Sequence, residues 1–127
     1  MTPISLDDAL GRFDDLWSPR IVTRVNDYDV RIAKVAGEHV WHAHQETDEF
    51  FLVLDGTFSV AVRDGGGEQV VHLQRGDTFV VPRGTAHRPY STAGASILMF
   101  EPSGTSSTGD YDGAVPDHID STVGHAL

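Results

Sequence analysis

The stretch GEHVWHAHQETDEFFLVLDG, residues 37–56, decides the fold, and GDTFVVPRGTAH, residues 76–87, supplies its counterpart. His42 and His44 stand two apart, so on an extended chain both imidazoles leave the same face. Gln45, Glu46, Thr47 and Asp48 separate them from Glu49. If those residues form a hairpin loop, positions 44 and 49 oppose one another with Cβ atoms about 4.5–5.5 Å apart. The second stretch adds His87. Val40, His42 and His44 would share one strand face, and Glu49, Phe51 and Val53 another, so the polar groups sit at one end of an apolar surface. Left unpaired there, each would lose water and gain no partner, whereas one ion satisfies them together. The residues therefore predict a metal site of His42, His44, Glu49 and His87. Nitrogen and oxygen donors without thiolate suit Fe(II), Mn(II), Ni(II), Zn(II) or Cu(II). Asp48 and Glu46 flank Glu49, and Asp48 reads either as an acceptor for a ligand histidine or as a solvated loop carboxylate.

Outward from this core, Val-, Ile-, Phe- and Thr-rich runs alternate with Gly, Asn and Asp turns from Ile21 onward, as in an all-β sandwich or barrel. The expected strands are Ile21–Val25, Asp29–Ala36, Val40–His44, Glu49–Leu54, Thr57–Arg63, Glu68–Leu73, Thr78–Val81, Ala86–Tyr90 and Ala95–Phe100. Ser5, followed by Leu6, Leu10, Phe13 and Trp17, predicts a capped amphipathic helix packing on the barrel. Asp64-Gly65-Gly66-Gly67 lies between two strand patterns and reads as a hairpin turn, since no helix or Lys-Ser/Thr follows it as a phosphate loop requires. Gly56 and Gly76 stand at strand ends, where positive φ or close backbone approach calls for glycine. Beyond Pro102 the chain turns to Ser, Thr, Gly and Asp, predicting a loosely held tail. The division is thus a helical segment 1–19, a barrel 20–102 and an extended tail 103–127.

The chain has 127 residues, enough for one core and a modest pocket. It has no Cys, which removes disulfides, thiolate nucleophiles and sulfur ligands. With 19 acidic against 9 basic residues, its charge of −10 opposes contact with nucleic-acid phosphates. No apolar run reaches membrane-span length and no basic-then-apolar leader is visible, so a cytoplasmic protein without membrane partners is expected. Neither a Ser-His-Asp set nor a glycine-rich strand-to-helix turn is present, which argues against serine hydrolysis and nucleotide chemistry.

The two stretches resemble the paired motifs of the cupin superfamily. The first motif is matched by His42, His44, Glu49 and Gly56, with Gly37 one residue nearer His42 than the pattern asks. The second is matched by Gly76, Pro82, Gly84 and His87, with Ser91 in place of Asn. The flanking LWSP and EPSGTSSTGD are similar to those of small single-domain bacterial cupins. The resemblance implies a jelly-roll-like antiparallel β-barrel with one divalent metal, a small-molecule substrate and a homodimeric assembly. It also implies Fe(II)-dependent dioxygenase chemistry first. A non-redox isomerase, epimerase or lyase, and a non-catalytic binding or sensor module, are the alternatives. Glu49 could leave the metal to act as a base, although the ion would lower its pKa and oppose that role. Phe51, Arg88 and Tyr90 are the candidate substrate contacts. His39, His72, His118 and His125 read as surface or hydrogen-bonded core residues, and Trp41, Ile97 and Met99 as core.

Overall fold

The structure is a computed structural model and describes residues 1–127. Helix α1 spans Leu6–Leu10. The strands are β1 Arg20–Val25, β2 Tyr28–Glu38, β3 Glu49–Asp64, β4 Gly67–Gln74, β5 Thr78–Val81, β6 Ala86–Pro102 and β7 His125–Ala126. They form a seven-stranded sheet in the order β4-β3-β6-β2-β1-β7, with β5 also paired to β3. All pairs are antiparallel except β1 with β7. This is the jelly-roll type of β fold.

Two long strands explain how a small chain closes a barrel. The expected Glu49–Leu54 and Thr57–Arg63 are one strand, β3, and the expected Ala86–Tyr90 and Ala95–Phe100 are one strand, β6. The first half of β3 pairs with β5 and its second half with β4, while both halves pair with β6. Register shifts between Val53 and Asp55, and between Gly56 and Ser59, let the strands bend without breaking, as bulges do. Gly56 sits at that bend with φ +79°, and a Cβ there would lie 2.3 Å from the carbonyl oxygen of Gly94. Positive φ and close approach both demand glycine at this position.

Alternation along the strands faces Phe51, Val53, Phe58, Val60, Val35 and Ile97 into one core. The Asp64–Gly67 turn is the expected hairpin between β3 and β4. Ser5 does cap α1, accepting a hydrogen bond from the Asp8 amide at 3.2 Å, but the helix is shorter than its apolar spacing predicts. Gly11 follows it, and Trp17 has φ +51°, which no right-handed helix accommodates. Trp17 instead packs directly into the barrel core and donates through Nε1 to the Ala36 carbonyl at 2.8 Å.

The tail overturns the expectation that it is loosely held. It is irregular, but Ile119 and Thr108 are buried, and β7 pairs with β1. Ser107, Thr108 and Asp120 make hydrogen bonds to Thr122, Ser121, Ser18 and the Trp17 carbonyl. Backbone and hydroxyl pairing replaces the apolar burial that its composition lacks.

Candidate metal centre

Residues 40–44 do not form the expected strand, and 44 and 49 do not face each other across a hairpin. The segment instead runs antiparallel to the start of β6. His42 and His87 exchange backbone hydrogen bonds at 3.0 and 2.8 Å, flanked by His39 N–H to Pro89 O and Gly84 N–H to His44 O. Glu49 opens β3, opposite Val81 of β5. Pairing with the start of β6 thus places the histidines, whereas the register of β3 against β5 places the carboxylate beside them.

The ligand atoms of His42, His44, Glu49 and His87 all lie within 4.8 Å of one another, and all four residues are buried. His42 Nδ1 donates to the Val40 carbonyl and His87 Nδ1 to the Thr85 carbonyl, each at 2.9 Å. A carbonyl only accepts, so each Nδ1 carries the proton and each Nε2 presents a lone pair. His42 Nε2 is buried with no hydrogen-bond partner. His44 Nε2 lies against Glu49 Oε2, and His87 Nε2 is 3.3 Å from the same oxygen. Converging buried lone pairs around a carboxylate fit a divalent cation, which satisfies the orphaned nitrogen and the carboxylate at once. The cluster is a metal-binding His/His/Glu/His set.

Burial would raise the Glu49 carboxyl, but His44 and His87 beside it hold it well below the usual carboxylate range. Burial would lower His44, yet the adjoining Glu49 raises it. Burial pushes His42 down to about 3, with Glu49 opposing. The site therefore favours an ionised carboxylate, which suits a ligand better than a base.

Beside the cluster lies a cavity of about 30 Å³. Phe51 lines it, together with Val35, Ile97 and Met99. Arg88 and Tyr90 do not. On β6 the inward residues are His87, Pro89 and Ser91, so the alternating positions 88 and 90 point outward. Arg88 pairs with Glu38 at 3.2 Å, and Tyr90 borders a separate outer groove with Ser59 and His72. Trp41 is likewise outside the core, under the guanidinium of Arg63 at 3.7 Å and that of Arg88 at 5.5 Å. Arg88 follows His87 in sequence, but strand pleating turns it to the opposite face. Asp48 accepts from the Arg83 amide and reaches no ligand histidine.

The cavity is also lined by three polar residues outside the expected site, His39, Glu101 and Ser107. The His39 ring lies between Trp17 and His42, with centroids 5.1 and 4.8 Å away. Burial pushes it down to about 4. The folded chain therefore holds His39 neutral while the unfolded chain protonates it near 6.5, so its contribution is present above that pH and lost as pH falls toward 4. In the metal-free protein, wild-type stability relative to His39→Phe should fall across this window by on the order of 3 kcal/mol. Urea melts from pH 7 to pH 4 measure this, and a pH-independent difference refutes it. Burial, then the Glu49 carboxylate, push Glu101 up to about 8 against the pull of Arg31.

Asp110 clamps the ligand segment from the tail. Its Oδ1 accepts from the Ala43 amide at 2.7 Å and its Oδ2 from Gln45 at 3.0 Å, while its own amide donates to the Ala43 carbonyl. Those bonds, the Ala43 bond first, hold the Asp110 carboxyl below its ordinary range. Because residue 43 lies between two ligands and no strand ladder fixes it, Asp110→Ala should weaken metal affinity about ten-fold, as loss of an outer partner does. A competition titration against a chromophoric chelator reads this, and unchanged affinity refutes it.

A family model described as Cupin domain matches residues 28–101. YdbB of Bacillus subtilis strain 168, itself an uncharacterized protein, is 37% identical over 80 residues, covering 63% of this chain and 68% of that one. The crystal structure of a cupin-2 domain containing protein from Shewanella frigidimarina is 40% identical with a TM-score of 0.73, covering 78% of this chain and 93% of that one. Hydroquinone 1,2-dioxygenase from Sphingomonas sp. TTNP3, in complex with 4-nitrophenol, is 26% identical with a TM-score of 0.71 over 80% of this chain, but only 32% of the larger protein. With the matched domain spanning the barrel and both motif stretches on it, the chain belongs to the cupin family.

Proposed function

We propose that this cupin is a metalloenzyme acting on a small oxygenated organic molecule, with Fe(II)-dependent dioxygenase chemistry. The observation that carries the reading is the convergence of three buried imidazoles and one carboxylate beside an apolar-walled cavity. The likeness to a hydroquinone dioxygenase supports the reaction class. Bound Fe(II) would supply a Lewis-acidic centre with redox reactivity toward O₂. His42 and His87 present Nε2 through their fixed Nδ1 donors, and Glu49 offers an ionised oxygen. Phe51, Val35, Ile97 and Met99 exclude water from the ligand side. At about 30 Å³ the cavity admits only a few atoms, so a ring-sized substrate requires its wall, which includes Ser107 of the tail, to yield.

The test is anaerobic loading with Fe(II), followed by oxygen-electrode traces with hydroquinones, small diketones and hydroxy acids. Substrate-dependent O₂ uptake with product formation supports the proposal. Turnover with Zn(II) or Mn(II) and no O₂ uptake replaces it with isomerase or lyase chemistry, and tight binding without product replaces it with a binding module. We also propose a homodimer, since β4 is an open edge strand bearing exposed Val70. A monomer mass by light scattering rejects it.

A further inference from the structure

The Val40 carbonyl holds two imidazoles. Nδ1 of His39 donates to it at 3.3 Å and Nδ1 of His42 at 2.9 Å, the two hydrogen bonds that a carbonyl oxygen can accept. The ring centroids lie 4.8 Å apart, and Trp17 stands on the other side of His39 at 5.1 Å. His39 is buried, and its backbone amide donates to the Pro89 carbonyl at 2.9 Å, so ring and backbone are both fixed. A carbonyl only accepts, so His39, like His42, carries its proton on Nδ1 and a lone pair on Nε2. The two nitrogens of an imidazole flank Cε1, and turning Nδ1 to a carbonyl turns Nε2 away from it. Two neighbouring rings anchored on one oxygen therefore send both Nε2 atoms away from it, and both rings line the same cavity.

His42 belongs to the metal cluster, whereas the one side-chain hydrogen bond of His39 is made by Nδ1. The other polar groups of the cavity wall are committed. Glu49 belongs to the cluster, Glu101 accepts from Arg31 at 2.9 Å, and Ser107 Oγ donates to the Asp120 carbonyl at 2.9 Å while accepting from the Thr122 amide at 3.0 Å. Burial and a cation in the neighbouring cluster both oppose a second proton on His39, so the group it presents is a neutral acceptor. Such a group selects for a hydrogen on the ligand rather than for charge. A hydroxyl donates to it, whereas a methyl ether in the same place leaves the lone pair buried and unpaired. We propose that His39 is a substrate-binding residue of this cavity, its Nε2 accepting a hydrogen bond from the hydroxyl of a small ligand, such as an α-hydroxyketone, whose neighbouring oxygen takes the metal. The proposal rests on the metal-site reading for that second anchor.

The test uses the full chain loaded with Zn(II), which is diamagnetic, isotope-labelled at the histidine nitrogens, and two small probes. One is hydroxyacetone, an α-hydroxyketone, and the other is methoxyacetone, its methyl ether. NMR of the imidazole nitrogens, with the His39 signals identified by their loss in His39→Phe, should show a protonated Nδ1 and a bare Nε2. Hydroxyacetone should move the Nε2 signal toward the hydrogen-bonded range, and methoxyacetone should not. The wild type should prefer hydroxyacetone. His39→Phe, which keeps a ring in place but removes the acceptor, should reduce that preference about ten-fold while zinc affinity stays the same. His39→Gln, which restores an acceptor, should recover part of it. A proton on Nε2 of the neutral ring, an Nε2 signal that hydroxyacetone does not move, or a preference unchanged in His39→Phe overturns the proposal. So does a wild type that binds hydroxyacetone no better than its ether. A parallel loss of zinc affinity in His39→Phe makes His39 a support for His42 instead, and overturns it as well. If the wild-type chain takes up no zinc, the metal reading fails by itself. The Nε2 signal is then followed against hydroxyacetone in metal-free protein, where no movement overturns the role of His39 independently.

Discussion

His42→Ala is expected to abolish stoichiometric metal binding. His42 is one of four converging ligands, its Nε2 is buried without a protein partner, and its Nδ1 is committed to the Val40 carbonyl. No nearby group can replace it. His39 is the adjacent imidazole, but its ring packs between Trp17 and His42 and is not among the converging ligand atoms. The affinity loss should exceed the roughly ten- to hundred-fold that an outer partner costs, because a direct bond to the ion disappears. Two readouts check this. Elemental analysis should find near-stoichiometric metal in the wild type and a trace in the variant. Thermal melts should show a metal-dependent rise in Tm for the wild type and none for the variant, since an ion that binds only the folded state stabilises it by mass action. A variant with full occupancy and unchanged affinity removes His42 from the site.

The ligand set was legible because its spacing is local. Two histidines two positions apart, a carboxylate five positions on and a histidine after Gly84 mark the cluster before any tertiary contact is known. Parity also placed Phe51 on the Glu49 face, and the structure puts it on the cavity wall. The same parity, extended from Ile97 and Met99, reaches Glu101, one residue beyond the expected end of that strand at Phe100. Arg88 and Tyr90 are the opposite case, since nearness to His87 in sequence carries no side-chain proximity where strand alternation turns them outward.

Other features left weaker signals. His39 enters the cavity from a segment without regular structure, where no period predicts direction. A tail so poor in apolar residues reads as loosely held, yet Asp110 and Asp120 tie it to Ala43 and Trp17, and Ser107 bonds within it to Asp120 and Thr122. The pairing of residues 39–44 with the start of β6, rather than across a hairpin with Glu49, follows from the position of β6 between β2 and β3. That order is a property of the whole sheet.

Arg31→Ala should destabilise the fold by about 3–5 kcal/mol, because it leaves buried carboxyl groups without their cation. Arg31 and Asp29 are fully buried, and Glu101 is 3% exposed. Asp29 would keep Arg24 at 3.0 Å and Ser103 at 2.6 Å, but Glu101 would lose its only donor and the Thr105 carbonyl would lose one as well. Because this guanidinium joins β2 to the end of β6 and to the tail, the loss reaches three parts of the barrel wall. Lysine should not rescue it. A single ammonium cannot point at Asp29, Glu101 and Thr105 together as the planar fork does. The comparison that isolates the charge is Arg31→Met with Asp29→Asn and Glu101→Gln. The triple variant should be less destabilised than Arg31→Ala, since removing a whole buried ionic group costs less than orphaning part of it. Urea unfolding at pH 7 measures all of these. A cost below about 1 kcal/mol for Arg31→Ala would match an exposed ion pair rather than a buried one, and would mean that water reaches both carboxylates in solution.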